Sequence, residues 1–213
     1  YLELQAKGAL NINLVTPTHY APHARIALDL ARAQGMDLPI VWNTSGYETV
    51  RSIRENQGYA DVYLADFKYA SRKLAARYSK APDYPQIALD AIAAMVDEVG
   101  SPCFDEYEGD ERMTRGVVVR HLMLPGALED SMRVVRTVWE RFGNSVLLSV
   151  MNQYTPVLAD RANDGDAFAR RELKRCPELS RRVPDGDYER LLDFADSLGI
   201  DDYFWQEGGA AEE

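Results

Sequence analysis

Residues 61–70 read DVYLADFKYA, and this stretch decides the class of fold. Its apolar part is continuous rather than alternating, as expected of a strand covered on both faces in a parallel sheet. The run then gives way to two titratable side chains, Asp66 and Lys68. Residues two apart on a strand point to the same side, so these two are expected to share a face, where each would stabilise the other's charge. A buried ion pair that merely fixes the strand end is the plainer alternative.

Working outward, residues 10–16, 39–44, 116–124 and 145–151 have the same apolar, β-branched character. Helical patterns separate them, over 22–34 (with Ile26, Leu28 and Leu30 on its apolar side), 48–55, 71–78, 84–99 and 129–142. Alternating strands and helices require right-handed crossovers and hence a parallel sheet, either open or curled into a barrel. The strands end in polar residues instead of one ending in a glycine-rich phosphate turn, which favours a barrel with its chemistry on the carboxyl rim. Residues 100–114 lack periodicity and read as an irregular excursion. Residues 157–186 form a charged segment, 187–198 a last helix and 200–213 an acidic tail, with a single domain over 1–199.

Composition narrows the partners. The net charge of -10 argues against a nucleic-acid groove or an anionic membrane surface, both of which would be repelled. No apolar run spans a membrane and no basic-then-apolar leader opens the chain, so a cytoplasmic protein is expected. The opening YLELQAKG, residues 1–8, resembles the tail of an amphipathic helix, and a preceding portion is expected. Loss of that portion would expose a sheet edge prone to pairing with other chains. The two cysteines, Cys103 and Cys176, lie too far apart in sequence to suggest a metal clamp or a disulfide framework.

The strand ends gather a ring of polar groups: Thr16, Thr18 and His19; Asn43, Thr44 and Ser45; Asp66 and Lys68; Arg120; and Asn152, Gln153 and Tyr154. Such a ring suits a polar ligand bearing an amine and a carboxylate. Arg120 has the fork geometry for a carboxylate, while its neighbour His121 is expected to point to the opposite face. His19 and His23 are four apart, but Pro22 between them and the want of an acidic third ligand speak against a metal site.

In order, NINLVTPTHY (11–20), PIVWNTSGYETV (39–50), DVYLADFKYA (61–70), SKAPDYP (79–85), RGVVVRHLMLPG (115–126) and LLSVMNQYTP (147–156) resemble the radical S-adenosylmethionine (SAM) proteins related to pyruvate formate-lyase activating enzymes. The similarity runs from about Gly8 through Pro156. It implies a partial parallel (β/α) barrel of the TIM-like, radical SAM type, missing the first β/α unit with its cluster loop. In that family a CxxxCxxC loop holds a 4Fe-4S cluster whose remaining iron chelates SAM, and reductive cleavage yields a 5′-deoxyadenosyl radical that abstracts hydrogen. The resemblance thus implies SAM and a 4Fe-4S cluster in the full-length parent, with an electron donor and a protein substrate, such as a glycyl-radical enzyme, as partners. It also implies that this chain alone lacks the cluster.

Residue by residue, Asn43, Thr44 and Ser45 match the family turn beside the ribose and methionine parts of SAM, and Asp66 and Lys68 match its aspartate-x-lysine strand end. Tyr154, with Gln153 adjacent, stands where activating enzymes have a histidine near the adenosyl group. Thr16, Thr18 and His19 replace the Gly-Gly-Glu motif that holds the methionine amine. Two other readings remain open: a barrel that only binds or scaffolds, and an aldolase-like barrel using Lys68 as a Schiff-base nucleophile. The neighbouring Asp66 counts against the latter, because a carboxylate raises a lysine pKa.

Overall fold

A computed structural model describes residues 1–107, 109–201 and 203–205. The chain opens with a short helix, α1 (Leu2–Ala6), whose Gln5 amide bonds Gly35 O (3.1 Å) and accepts from Asp37 N (3.0 Å). Strand β1 (Ile12–Val15) follows, and the 3-10 turn Pro17–Tyr20 leads into α2 (Ala21–Arg32). Ala21, Ala24, Leu28 and Ala31 fall on one helical stripe and are buried. Pro22 sits in the first turn, where its missing N–H costs no intrahelical bond.

Strand β2 (Ile40–Thr44) pairs in parallel with β1 and with β3 (Val62–Asp66). Residues paired in register share a sheet face, so Leu14, Trp42 and Tyr63 form one buried row and Val15, Asn43 and Leu64 a row on the other face. Between β2 and β3 lies α3 (Val50–Arg54), capped by Thr49, whose hydroxyl accepts from Ser52 N at 3.0 Å. After β3, α4 (Arg72–Leu74) is capped by Ser71 and runs into a π-helical turn, Ala75–Ser79. Helix α5 (Tyr84–Val99) then buries Ala88, Ala91, Ile92 and Met95.

Residues 100–114 correct the sequence reading. In place of an irregular excursion, β4 (Cys103–Tyr107) pairs antiparallel with the start of β5 (Asp110–Leu122). Exposure of β4 explains why no alternation marks it: Phe104 is in solvent, and the pair is tied instead by the Asp105–Arg112 ion pair (2.7 Å) and by Arg112 lying 4.4 Å from the Tyr107 ring centre. Helix α6 (Leu128–Phe142) and strand β6 (Leu147–Met151) follow as the sequence pattern predicts.

The charged segment 157–186, to which the sequence pattern assigns no element, contains two helices, α7 (Val157–Asn163) and α8 (Ala167–Arg175), and the 3-10 turn Pro177–Ser180. Helix α8 has Ala169 as its buried residue, and its start is fixed by Asp166, which accepts from Phe168 N and Ala169 N. Helix α9 (Asp185–Ser197) buries Tyr188, Leu191 and Ala195. In what reads as an acidic tail, β7 (Tyr203–Trp205) pairs in parallel with β6; residues 202 and 206–213 of that tail lie outside the described residues.

Among the described residues the hydrogen-bonded strand order is β1-β2-β3-β5-β6-β7, with β4 paired to β5. The order ends on β1 and β7, so this is an α/β fold with an open, mostly parallel sheet. The residues group into two compact units. The first comprises Tyr1–Phe67, Gln86–Val119 and Phe142–Leu147; the second comprises Lys68–Pro85, Arg120–Arg141 and the described residues from Leu148 onward.

Gly116 is a fixed point of the first unit. Its N–H donates to Asp61 O (3.1 Å), its φ is +128°, and a Cβ there would come within 2.7 Å of both Pro102 Cα and Met113 Cε. Gly116→Ala is therefore expected to cost about 2 kcal/mol through backbone strain and overpacking, read as a lowered urea midpoint. An unchanged midpoint would show that the backbone relaxes freely at this place.

Candidate functional site

In the first unit, parallel pairing brings the carboxyl ends of β1, β2 and β3 side by side. Thr16, directly after β1, is left-handed (φ 52°, ψ 51°), a conformation rare for a β-branched residue. Its N–H donates to Asn43 O at 2.8 Å, continuing the β1–β2 pairing by one bond. Asn43 and Asp66 lie on the same sheet face, because Asn43 pairs with Leu64 and Asp66 is two residues farther on. Both are half-buried.

Thr44 points to the opposite face and is 2% exposed. Its hydroxyl donates to Glu48 Oε1 at 2.6 Å, and Thr18 donates to the same oxygen. Ser52 Oγ adds a contact to Glu48 Oε2 at 3.3 Å. The expected residues Thr18 and Thr44 are thus joined through a carboxylate that the sequence reading did not single out. His19 is exposed, its ring edge-on to Tyr20 at 5.6 Å between centres, and Ser45 is half-buried in the turn after β2.

The second unit carries Lys68, Arg120, Gln153 and Tyr154, all half-buried. The backbone at Lys68 is held on both sides: Lys68 N donates to Tyr84 Oη (3.0 Å), and Ala70 N to the buried Asp130 Oδ2 (3.2 Å). Arg133 completes Asp130 with a 2.9 Å ion pair. His121, beside Arg120, is 2% exposed and belongs to the core. Tyr154 donates its hydroxyl to Leu179 O at 2.8 Å, and burial, with the Glu178 carboxylate nearby, raises its pKa. Met123 N donates to Met151 O at 2.8 Å, extending the pairing next to Gln153.

A cavity of about 350 Å³ lined by Arg32, Pro39, Asp61 and Arg112 lies at the other end of the first unit's strands, beside Ile40 N and Asp61. Its charged groups already satisfy one another: Arg112 pairs with Asp105, and Arg32 lies 4.0 Å from Asp61. Among the described residues no group of three His, Cys, Asp or Glu side chains is arranged to hold a metal ion, and no helix is long and apolar enough to cross a membrane. The cysteines do not fit an iron–sulfur cluster. Cys103 Sγ accepts from Arg115 (3.4 Å) in the first unit, and the buried Cys176 Sγ accepts from Arg77 (3.4 Å) in the second.

No protein-family model matches the chain. It is 25% identical over 193 residues to the uncharacterized protein MJ0674 of Methanocaldococcus jannaschii, an alignment that takes in 90% of this chain and 47% of that protein. The chain therefore spans about half the length of the curated relative it matches.

A second carboxyl of the first unit, Glu98, ends a chain of side-chain hydrogen bonds. Arg25 donates to Asn56 Oδ1 (2.9 Å), Asn56 bonds the fully buried Tyr63, and Tyr63 Oη donates to Glu98 Oε2 (3.2 Å). The other Glu98 oxygen is buried with no hydrogen-bond partner, next to a small pocket shared with Arg54, Gln57 and Asp97. Burial pushes the Glu98 pKa up to about 7 against the single bond from Tyr63. The folded state therefore holds this proton over a pH range in which the unfolded chain, titrating near 4.5, has released it. Stability contributed by the protonated carboxyl is full below about pH 4.5 and is lost as pH rises toward 7. Glu98→Gln should match the parent near pH 4.5 and exceed it by about 1 kcal/mol at pH 8, after discounting for partial solvent screening. Urea denaturation at the two pH values reads this, and an equal effect at both would sink it.

Proposed function

We propose that this chain is the SAM-binding part of a radical SAM enzyme of the activating-enzyme type, folded as a partial (β/α) barrel. The carrying observation is the alignment of the β1, β2 and β3 ends, which puts Thr16, Asn43 and Asp66, three residues of the family-like motifs, at one end of one parallel sheet. Hydroxyl, amide and carboxylate groups of this kind suit the amine, carboxylate and ribose of SAM. Asn43 and Asp66 would orient the ligand from the sheet face they share. The second unit holds Lys68, Gln153 and Tyr154, which match family positions, and Arg120, whose fork suits a carboxylate.

The described residues do not hold the cluster, so its thiolates belong to polypeptide outside them. A cluster held by other polypeptide of the natural protein would supply the electron for SAM cleavage, and this chain would supply recognition. A glycyl-radical protein is the substrate the likeness favours, with an electron donor as second partner, in the cytoplasm and without nucleic acid or membrane.

The test uses the full-length natural protein, purified without oxygen and supplied with iron and sulfide. Incubation with SAM and dithionite should release 5′-deoxyadenosine, and Asn43→Ala and Asp66→Ala should each weaken SAM binding by roughly tenfold, the loss of one or two good hydrogen bonds. A protein that forms no cluster chromophore and leaves SAM intact would refute the proposal.

A further inference from the structure

We propose that Glu48 is the positioning residue of this rim: its buried carboxylate fastens the turn Pro17–Tyr20 to the end of β2 and so sets where Thr16 and Thr18 stand. The link from turn to ligand rests on the function proposed above; the fastening does not. Glu48 is 7% exposed, and its partners come from three places: Thr18 in the turn, Thr44 at the end of β2, and Ser52 in α3. Among the described residues none of these partners is a cation. Three hydroxyls converge on one carboxylate, an arrangement that spends a charged acceptor on holding neutral donors, which form stronger bonds to it than to a neutral acceptor.

The turn needs holding. Thr16 is left-handed in a β-branched residue, so the strand does not run on into Pro17 in its relaxed form. Three hydrogen bonds keep it there: the backbone bond from Thr16 N to Asn43 O, the Tyr20 hydroxyl to Val15 O (3.0 Å), and the side-chain bond from Thr18 to Glu48, the one of the three that ties a side chain of the turn to α3's approach and β2. Thr44 shares Oε1 with Thr18, so the turn is referenced to β2 itself; its hydroxyl also accepts from Gly46 N (3.3 Å), which fixes the loop that carries Ser45. Release of Glu48 would therefore loosen the loops after both strands at once.

Four variants of the full-length natural protein test this: Glu48→Ala, Thr18→Val, Glu48→Gln and, as control, Ser52→Ala. Amide hydrogen exchange at Thr16, Thr18, His19 and Tyr20 should quicken about tenfold or more in Glu48→Ala and Thr18→Val, without comparable change in the core strands. Glu48→Gln should restore slow exchange, because its amide oxygen can accept from Thr18 and Thr44 while its NH2 faces Ser52. Ser52→Ala should leave the turn as in the parent. The SAM dissociation constant should rise about tenfold in the two loosened variants and recover in Glu48→Gln.

Unchanged exchange in Thr18→Val, which decides the matter if Glu48→Ala fails to fold, would overturn the proposal. So would faster exchange spread evenly over the first unit, the mark of a merely structural role. Local loosening with an unaltered SAM dissociation constant would overturn the link to the ligand. If the parent protein itself does not bind SAM while the turn loosens as expected, the radical SAM reading falls and the fastening stands.

Discussion

Parallel pairing of β1, β2 and β3 is the constraint on which the rest of the first unit depends. The register sets Leu14 beside Trp42 and Trp42 beside Tyr63, and Ile12 beside Ile40; all of these side chains are buried. Full burial of large apolar side chains contributes about 1.5–3 kcal/mol each, so a one-residue slip, which would turn the whole row to the other face, is excluded by a wide margin. The same register fixes the polar ends. Once Trp42 is locked next to Tyr63, Asn43 must stand next to Leu64, and Asp66 must follow on the face of Asn43. The arrangement of the candidate site is thus a by-product of apolar packing two residues away.

The first unit treats its two enclosed glutamates in opposite ways. Glu48 meets hydroxyls on both oxygens, whereas Glu98 receives one bond from Tyr63 and leaves its other oxygen without a partner. An unsatisfied buried acceptor costs about 1–3 kcal/mol, a penalty that protonation relieves, and the raised pKa of Glu98 expresses this. The difference in donors also separates their roles. Glu98, on α5, meets Tyr63 of β3, and there the neutral carboxyl is favoured over the charged one. Glu48 stands between loops that a sheet does not order by itself, next to a left-handed Thr16 whose conformation costs roughly 1–2 kcal/mol.

The sequence made the strands legible because each carries an apolar, β-branched stretch, interrupted by Asn11 and Asn13 in the first: β1, β2, β3 and β6 lie within 10–16, 39–44, 61–67 and 145–151. Elements that bury nothing left no such trace. Strand β4 exposes Phe104, and α8 buries only Ala169 among its nine residues, so the hairpin and the helices of 157–186 are held by ion pairs, caps and crossings that periodicity does not record. Among site residues, Thr18 and Thr44 were visible as strand-end hydroxyls, but the carboxylate joining them was not. Glu48 looks like an ordinary acid before a helix, one residue ahead of the Thr49 cap. That its side chain turns back to β2 depends on the sharp Gly46 turn (φ 75°) and on a partner 30 residues earlier, relations no local pattern carries.

The two cysteines have partners of their own. A cluster of the kind implied needs thiolates close together in one loop, because adjacent irons stand only a few ångströms apart. Here the two thiols belong to different units, and each is already engaged by a guanidinium group: Cys103 by Arg115, and Cys176 by Arg77, which also pairs with Glu178 at 2.9 Å. Cys176 is moreover 1% exposed, packed where α8 ends, so moving it toward a metal would undo the anchoring of that helix. Both thiols therefore have structural occupations of their own. These two thiols are therefore not the soft ligands that the proposed chemistry would need, and what the strand ends present instead are hydroxyl, amide and carboxylate groups.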